Sequence, residues 1–188
     1  MKSLRKTGLF VGRFQPFHLG HLDIIKHILE ENAKIIITIG SAEKNYVPEN
    51  PMTAGERVLI IDETLKDEGL DPAQYCIIPI RDIDNYALWV DHLNLYVPPY
   101  DHIYTGSSIV KDCYKSTKSK HKLIKIKRKR PVSGTAIRES MLENTRDWRT
   151  LVPTRTAELL EKIKLPHRLR NIQETITKNS QKCKPSIR

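Results

Sequence analysis

One continuous β-branched run, Lys34–Gly40 (KIIITIG), constrains the fold more than any other segment of the chain. A run of this kind is typical of a strand buried on both faces, and such a strand needs helices on both sides of its sheet. Patterns of strands and helices alternate before and after it, which predicts βαβ units and a parallel sheet. We therefore expect an α/β fold, a doubly wound Rossmann-like parallel sheet of about five strands with helices on both faces.

The expected elements can be placed along the chain from periodicity and capping patterns. The strands are Thr7–Val11, Lys34–Gly40, Tyr75–Ile80, His102–Thr105 and Lys122–Lys127. The helices are Leu19–Glu30, Thr53–Glu68, Ala87–Leu95, one running towards Tyr114, Ser133–Leu142 and Thr154–Lys164. Because ligands bind such sheets at the carboxyl ends of the strands, we expect the loops there to share one crevice.

The formal charge of +10 is concentrated in two segments. Residues 111–130 carry ten Lys and Arg against one Asp, and residues 166–188 carry six against one Glu, so the rest of the chain is mildly acidic. This distribution argues against a general nucleic-acid partner. We expect one α/β domain at residues 1–165, followed by a basic C-terminal tail or an added helix at residues 166–188.

Composition also bears on the setting of the protein. No apolar run approaches the roughly 20 residues that span a bilayer, and the run after the basic N-terminus is too short for a signal peptide. Cys76, Cys113 and Cys183 have neither metal-ligand spacing nor the even count of a disulfide framework. We expect a cytoplasmic protein without a membrane partner.

The segment Gly12–His21 (GRFQPFHLGH) follows the first strand and opens the first helix. His18 and His21 are three positions apart, which places both imidazoles on one face of the helix end. Gly20 has no Cβ, so a bulky ligand can approach the backbone there. A helix N-terminus offers unpaired N–H groups and a positive dipole end, so the segment predicts a phosphate site.

A second phosphate pattern is the segment Ser133–Arg138 (SGTAIR). Ser133 and Thr135 supply hydroxyl groups at a helix start, and Arg138 lies on the same side as Thr135. Alone, the pattern is also that of an ordinary capped helix with a solvated arginine. Together with the histidine segment it predicts two sides of a triphosphate site.

Two further features leave alternatives open. Trp89 is either a packing residue or a ring that stacks on an aromatic ligand, with Asp82 as a nearby hydrogen-bond acceptor. The basic run Lys125–Arg130 suits a lysine-protected edge strand or attraction of a polyphosphate. It suits nucleic acid less well, because no aromatic residues are interleaved in it.

These motifs resemble the nucleotidyltransferases of the His-x-Gly-His superfamily and, more narrowly, the archaeal-type nicotinamide-nucleotide adenylyltransferases. The resemblance extends from about Gly8 to about Lys164 and covers nearly the whole domain. It is carried by Gly12–His21, Gly40–Ala42, Pro51–Arg57, Ala87–Val90 and Ser133–Arg138. In some relatives a basic residue stands at the position of Glu49 and an asparagine at that of Tyr86.

The resemblance implies a role for each candidate residue. His18, His21 and Arg138 would be catalytic and would contact the ATP phosphates. Further ATP-binding residues would be Gly12, Arg13, Phe14, Gly20, Gly106, Ser133 and Thr135. Nicotinamide mononucleotide (NMN) would be bound by Ser41, Asp82 and Trp89.

The implied reaction converts ATP and NMN into NAD and pyrophosphate. The implied cofactor is Mg²⁺ or another divalent cation, bound mainly through ATP phosphates and without a metal site of the protein. A homo-oligomer is expected from the same resemblance. The alternatives are an adenylyl or cytidylyl transferase with another phosphorylated acceptor and, from a different class, a nucleic-acid-binding protein on this scaffold.

Overall fold

The computed structural model describes residues 6–83, 85–117, 119, 121–126, 130–143 and 147–182. Its centre is a parallel five-stranded sheet in the order β3-β2-β1-β4-β5. The strands are β1 (Thr7–Gly12), β2 (Lys34–Ile39), β3 (Tyr75–Pro79), β4 (His102–Thr105) and β5 (Lys122–Lys125). The chain therefore moves outward from β1 through β2 to β3 and then crosses to the other side of β1. The predicted doubly wound fold is confirmed.

The helices lie between and after the strands. They are α1 (Leu19–Glu31), α2 (Ala54–Asp67), α3 (Trp89–Tyr96), α4 (Ser108–Ser116), α5 (Gly134–Glu143), α6 (Thr154–Lys162) and α7 (Leu165–Lys182). The predicted capping box of α2 is present, since the Thr53 side chain accepts the Glu56 N–H and the Glu56 carboxylate accepts the Thr53 N–H. The fifth strand ends at Lys125, and residue 127, where its end was predicted, lies outside the described residues.

Each face of the sheet packs against its own hydrophobic cluster because side chains alternate along a strand. Phe10 and Ile37 belong to a large cluster with residues of α1, α2, α5, α6 and α7. Leu9 and Ile36, their neighbours in sequence, belong to a smaller cluster with residues of α3 and α4. All four are nearly or fully buried, which explains the continuous apolar run of β2.

The C-terminal part of the described chain continues as a helix. Helix α6 ends at Lys162 and not at Lys164 as predicted, because Lys164 takes a left-handed φ of 53°. Helix α7 begins at Leu165 with Pro166 in its first turn, where a missing N–H costs nothing. Leu165 and Leu169 are buried in the large cluster. The division of the chain at residue 165 stays a prediction.

Candidate active site

One large cavity opens at the carboxyl ends of β1 and β4, on either side of the point where the strand order reverses. This is where ligands bind in open α/β sheets. Its volume is about 700 Å³. Every residue predicted for the site lines this cavity, in three groups that come from distant parts of the chain.

The first group comes from the β1–α1 loop and the start of α1. It consists of Gly12, Arg13, Phe14, His18, Gly20 and His21. His18 is the N-cap of α1, and its Nδ1 accepts the N–H of His21 at 3.3 Å. In this geometry a proton on the His18 ring resides on Nε2, which is then a donor.

The two histidine rings lie on one face of the helix end, as their spacing predicts, and they are stacked. Their centroids are 3.6 Å apart and their planes differ by 19°. The His21 ring also contacts the rings of Phe14 and Phe17, at 4.7 and 5.7 Å between centroids. A Cβ at Gly20 would lie 3.1 Å from the His18 ring, so the glycine allows the cap to close against the helix.

The second group lies at the start of α5 and after β4. It consists of Gly106, Ser133, Thr135 and Arg138. The Ser133 hydroxyl caps α5 by accepting the Ala136 N–H at 3.2 Å. Gly106 directly follows β4, next to the N-cap of α4. The first turns of α1, α4 and α5 thus all line one cavity, which favours an anionic ligand.

Arg138 joins the first and second groups directly. Its Nη1 donates to the backbone oxygen of Gln15 at 2.7 Å, and its Nη2 donates to Thr135 Oγ1 at 3.3 Å. Helix α5 approaches the β1–α1 loop so closely here that a Cβ at Gly134 would lie only 2.7 Å from the same Gln15 oxygen. Burial and then repulsion from Arg13 lower the pKa of Arg138, but an arginine remains cationic at neutral pH.

The third group, formed by Ser41, Asp82 and Trp89, lies on the β2–β3 side of the cavity. Asp82 accepts hydrogen bonds from the Ser41 hydroxyl at 2.7 Å, the Ser41 N–H at 3.2 Å and Lys44 Nζ at 3.1 Å. Partial burial opposes ionisation of Asp82, but the bonds from Ser41 and Lys44 outweigh it and lower its pKa. Asp82 is therefore a fixed carboxylate.

Trp89 packs on a neighbouring ring, which is one of its two predicted alternatives, and its stacking on a ligand stays a prediction. It is half-buried and meets Tyr114 edge to face, with 6.3 Å between ring centroids. It also lines the cavity at the start of α3. Packing on Tyr114 leaves part of the ring available to a ligand.

Sequence reasoning missed the residues that hold the cavity floor together. Arg57 is fully buried and donates to the backbone oxygens of Arg13, Gly40 and Ser41 at 2.9 to 3.1 Å. Burial lowers its pKa to about 10, although Glu43 and Asp82 favour the charged form, so it stays cationic at neutral pH. The only signal was its place directly after the capping box.

Gln15 is a second missed residue of this kind. Its side chain donates to the Met52 oxygen at 3.0 Å and accepts the Met52 N–H at 3.1 Å. The Gln15 amide therefore bonds to both backbone groups of one residue in the β2–α2 loop (residues 40–53), as the backbone of a neighbouring strand would. No pattern in the sequence marks such a partner 37 positions away.

Within the described ranges, no three His, Cys, Asp or Glu side chains lie close enough together to hold a metal ion. In the same part of the chain, none of the helices is long and apolar enough to cross a membrane.

Comparison with known proteins assigns the fold and cavity to a class. The family model described as cytidylyltransferase-like matches residues 9–140, so the chain is a nucleotidyltransferase of this type. Nicotinamide-nucleotide adenylyltransferases are its curated relatives, at 43% identity in Archaeoglobus fulgidus and 39% in Caldivirga maquilingensis. These matches cover 87% and 88% of the chain, and 95% and 93% of the relatives. The chain belongs to the nicotinamide-nucleotide adenylyltransferase family.

Solved structures show the same fold. The bifunctional NMN adenylyltransferase/ADP ribose pyrophosphatase from Francisella tularensis superimposes with a TM-score of 0.77 at 20% identity. The match covers 94% of this chain and 56% of that protein. A nicotinate-nucleotide adenylyltransferase structure from Vibrio parahaemolyticus, described as putative, matches with a TM-score of 0.59 at 21% identity, over 83% of this chain and 99% of that one.

Proposed function

We propose that this cavity transfers the adenylyl group of ATP to the phosphate of NMN and releases NAD and pyrophosphate. Family membership supports the reaction. The structural observation that carries the proposal is the contact of Arg138 with the Gln15 oxygen, which brings two helix N-termini and a cation into one wall. A triphosphate needs a surface of this kind.

The donor nucleotide is proposed to lie on the first and second groups. His18, His21, Ser133, Thr135 and Arg138 would contact the phosphates, while Gly106 would border the adenosine. Gly12, Arg13 and Phe14 would lie along the nucleotide, with Gly20 leaving room beside the helix. Hydrogen bonds from cationic and polar groups are stronger in such a site than in water, because solvent is excluded.

NMN is proposed to lie on the third group. The Trp89 ring would stack on the nicotinamide, and Ser41 and the Asp82 carboxylate would hold the polar part of the acceptor. The fixed charge of Asp82 supports this placement, since the neutral amide of NMN donates hydrogen bonds and a carboxylate accepts them.

The chemistry follows from placing the two substrates side by side. A phosphate oxygen of NMN attacks the α-phosphorus of ATP, a new phosphorus–oxygen bond forms, and the bond to the pyrophosphate oxygen breaks. The attacking phosphate is already ionised at pH 7, since its second pKa is about 6, so no general base is required. The protein must position two polyanions and stabilise the charge on the leaving group.

A divalent cation is part of the proposal. A solved Francisella tularensis relative is complexed with AMP and a Mn ion, and we propose Mg²⁺ for this chain. The cation would neutralise charge on the leaving pyrophosphate. The residues present fit a cation carried by the ATP phosphates, because Asp82 already accepts three hydrogen bonds and the donor side is formed by histidine, hydroxyl and guanidinium groups.

Product analysis tests the function. The protein is incubated with ATP, Mg²⁺ and one phosphorylated acceptor at a time, including NMN and nicotinate mononucleotide, and the products are identified by mass. We expect NAD and pyrophosphate from NMN. Adenylylation of a different acceptor without NAD formation would assign the chain another substrate. The cytoplasmic location and the homo-oligomer stay predictions, the second testable by light scattering.

A further inference from the structure

Helix α7 reaches back to the start of α2 through one arginine. Arg168 makes a paired contact with the Glu56 carboxylate, with Nη1 and Nη2 each donating at 2.7 Å. Both side chains are mostly buried, at 16% and 21% exposed. A planar guanidinium matched to a carboxylate in this way is far more specific in geometry than a surface lysine pair.

The same guanidinium also contacts the β2–α2 loop itself, at two points. Its Nη1 donates to the backbone oxygen of Pro51 at 3.1 Å. Its carbon lies 4.7 Å from the centroid of the Tyr46 ring, in a cation–π contact. Tyr46 has a left-handed φ of 52° and is 54% exposed, so the contact of its ring with Arg168 helps to hold this bend beside the Val47–Asn50 bridge.

The loop that Arg168 holds is also a wall of the cavity. Ser41 and Lys44, at its beginning, line the cavity and hydrogen-bond to Asp82. Glu56 accepts the Thr53 N–H at 2.9 Å, so the arginine also supports the end of the loop where α2 begins.

We propose that Arg168 is a positioning residue for the acceptor substrate: it fixes the β2–α2 loop so that Ser41 and Asp82 can receive a pyridine mononucleotide. This inference rests on the proposed function for the identity of the acceptor. The C-terminal helix thereby contributes to acceptor binding without touching substrate. Partial burial opposes ionisation of Glu56, but Arg168 and the Thr53 N–H outweigh it and lower its pKa, so the pair is ionic at neutral pH.

Kinetics of a matched pair of variants tests the proposal. Arg168→Met removes the loop contacts. Arg155→Met removes the other arginine pair that reaches α2, since Arg155 donates to Glu63 at 3.0 Å and both side chains are 36% exposed. We expect the KM for NMN to rise about tenfold in Arg168→Met, with the KM for ATP and kcat changed by less than about threefold. Arg155→Met should match the wild type.

A conservative variant separates positioning from general stability. Arg168→Lys keeps the charge but loses the paired geometry and the planar stacking, so its KM for NMN should lie between those of the wild type and Arg168→Met. An equal rise of both KM values in Arg168→Met, or no rise in either, would overturn the proposal.

Hydrogen exchange without substrates gives a readout that does not depend on the reaction. Amides of residues 42–50 should exchange faster in Arg168→Met than in the wild type or Arg155→Met, while those of residues 13–18 keep their rates. Unchanged exchange at residues 42–50 would refute the role of Arg168 even in an active enzyme. If exchange there is faster in Arg168→Met but the wild-type protein makes no NAD, the result contradicts the proposed function alone.

Discussion

The cavity has a donor wall, formed by the first and second groups, and an acceptor wall, formed by the third group and the β2–α2 loop. The two walls are held in place in different ways. On the donor wall, Arg138 and Gln15 are at least 92% buried and their contacts include backbone oxygens. On the acceptor wall, the Lys44 side chain is 49% exposed, and Tyr86 is 62% exposed. The arginine that closes the donor wall is thus buried in the packed fold. The acceptor wall combines a buried support, Arg57 bonded to Ser41, with side chains exposed at the surface.

This difference teaches where change is tolerated. Replacing Arg138 or Gly134 is expected to disturb the docking of α5 on the β1–α1 loop. Replacing Glu49 or Tyr86, both exposed, leaves the core untouched. We therefore expect the acceptor side to tolerate change at these two positions better than the buried contacts of the donor side.

The largest expected effect is on the donor wall, at a histidine. His21→Ala should lower kcat by about 10² to 10³, because a donor to the charge that develops on the phosphates is lost. Steady-state kinetics with both substrates measures it. His27→Ala, on the same helix but exposed, is the control. Near-normal turnover in a folded His21→Ala variant would remove His21 from the site.

The next effect tests how rigid the donor wall is. Gly134→Ala would place a Cβ 2.7 Å from the Gln15 oxygen and push α5 away from the β1–α1 loop. We expect the KM for ATP to rise about tenfold, and more than the KM for NMN, since overpacking costs about 1–3 kcal/mol. Isothermal titration with ATP measures the binding directly.

The matched control for that variant is Gly55→Ala, where the nearest atom lies 4.0 Å from the added Cβ. It should bind ATP as the wild type does. A Gly134→Ala variant with normal ATP affinity would show that the donor wall adapts, and the comparison between the walls would fail.

A comparable but selective effect is expected on the acceptor wall. Trp89→Ala should raise the KM for NMN about tenfold with ATP affinity nearly unchanged, since an aromatic pair contributes about 0.5–1.5 kcal/mol beyond its buried area. Leu88→Ala, an exposed neighbour, is the control. An unchanged KM for NMN in Trp89→Ala would mean that the ring only packs on Tyr114.

The smallest expected effect is on the stability of the folded protein at low pH. The pKa of Glu56 lies below its ordinary value of 4.5 in the folded protein, so its stabilising contribution is complete above pH 4.5 and is lost as the pH falls through the lowered value. Urea unfolding at several pH values should show a steeper acid loss for the wild type than for Arg168→Met. Parallel curves would show that the pair contributes nothing measurable.

The fold was largely predictable because its signals are local. The apolar run of β2 and the capping box at Thr53 are each made of residues only a few positions apart, and they imply a buried strand and a helix start. The end of α6 was not predictable in this way, since the left-handed Lys164 carries no glycine signal. The burial of Leu165 and Leu169 depends on packing against distant helices.

The residues that line the candidate site could be predicted from the sequence, whereas the residues that hold them in place could not. His18, Ser133 and Trp89 stand in motifs, and all three line the cavity. Arg57 and Gln15 hold the same cavity through backbone oxygens or amides of residues far away in sequence. Such bonds are specified by the folded arrangement, so one sequence gives no local trace of them.

The contact between Arg138 and Gln15 bears on how the chain folds. The two residues are 123 positions apart, so the triphosphate site forms only after α5 has docked on the loop after β1. We therefore expect a partly folded chain to lack this site, so that nucleotide binds the native state alone. By mass action, ATP at a hundred times its Kd would stabilise that state by about 2.7 kcal/mol. The donor substrate would thus also stabilise the folded form of the enzyme that consumes it.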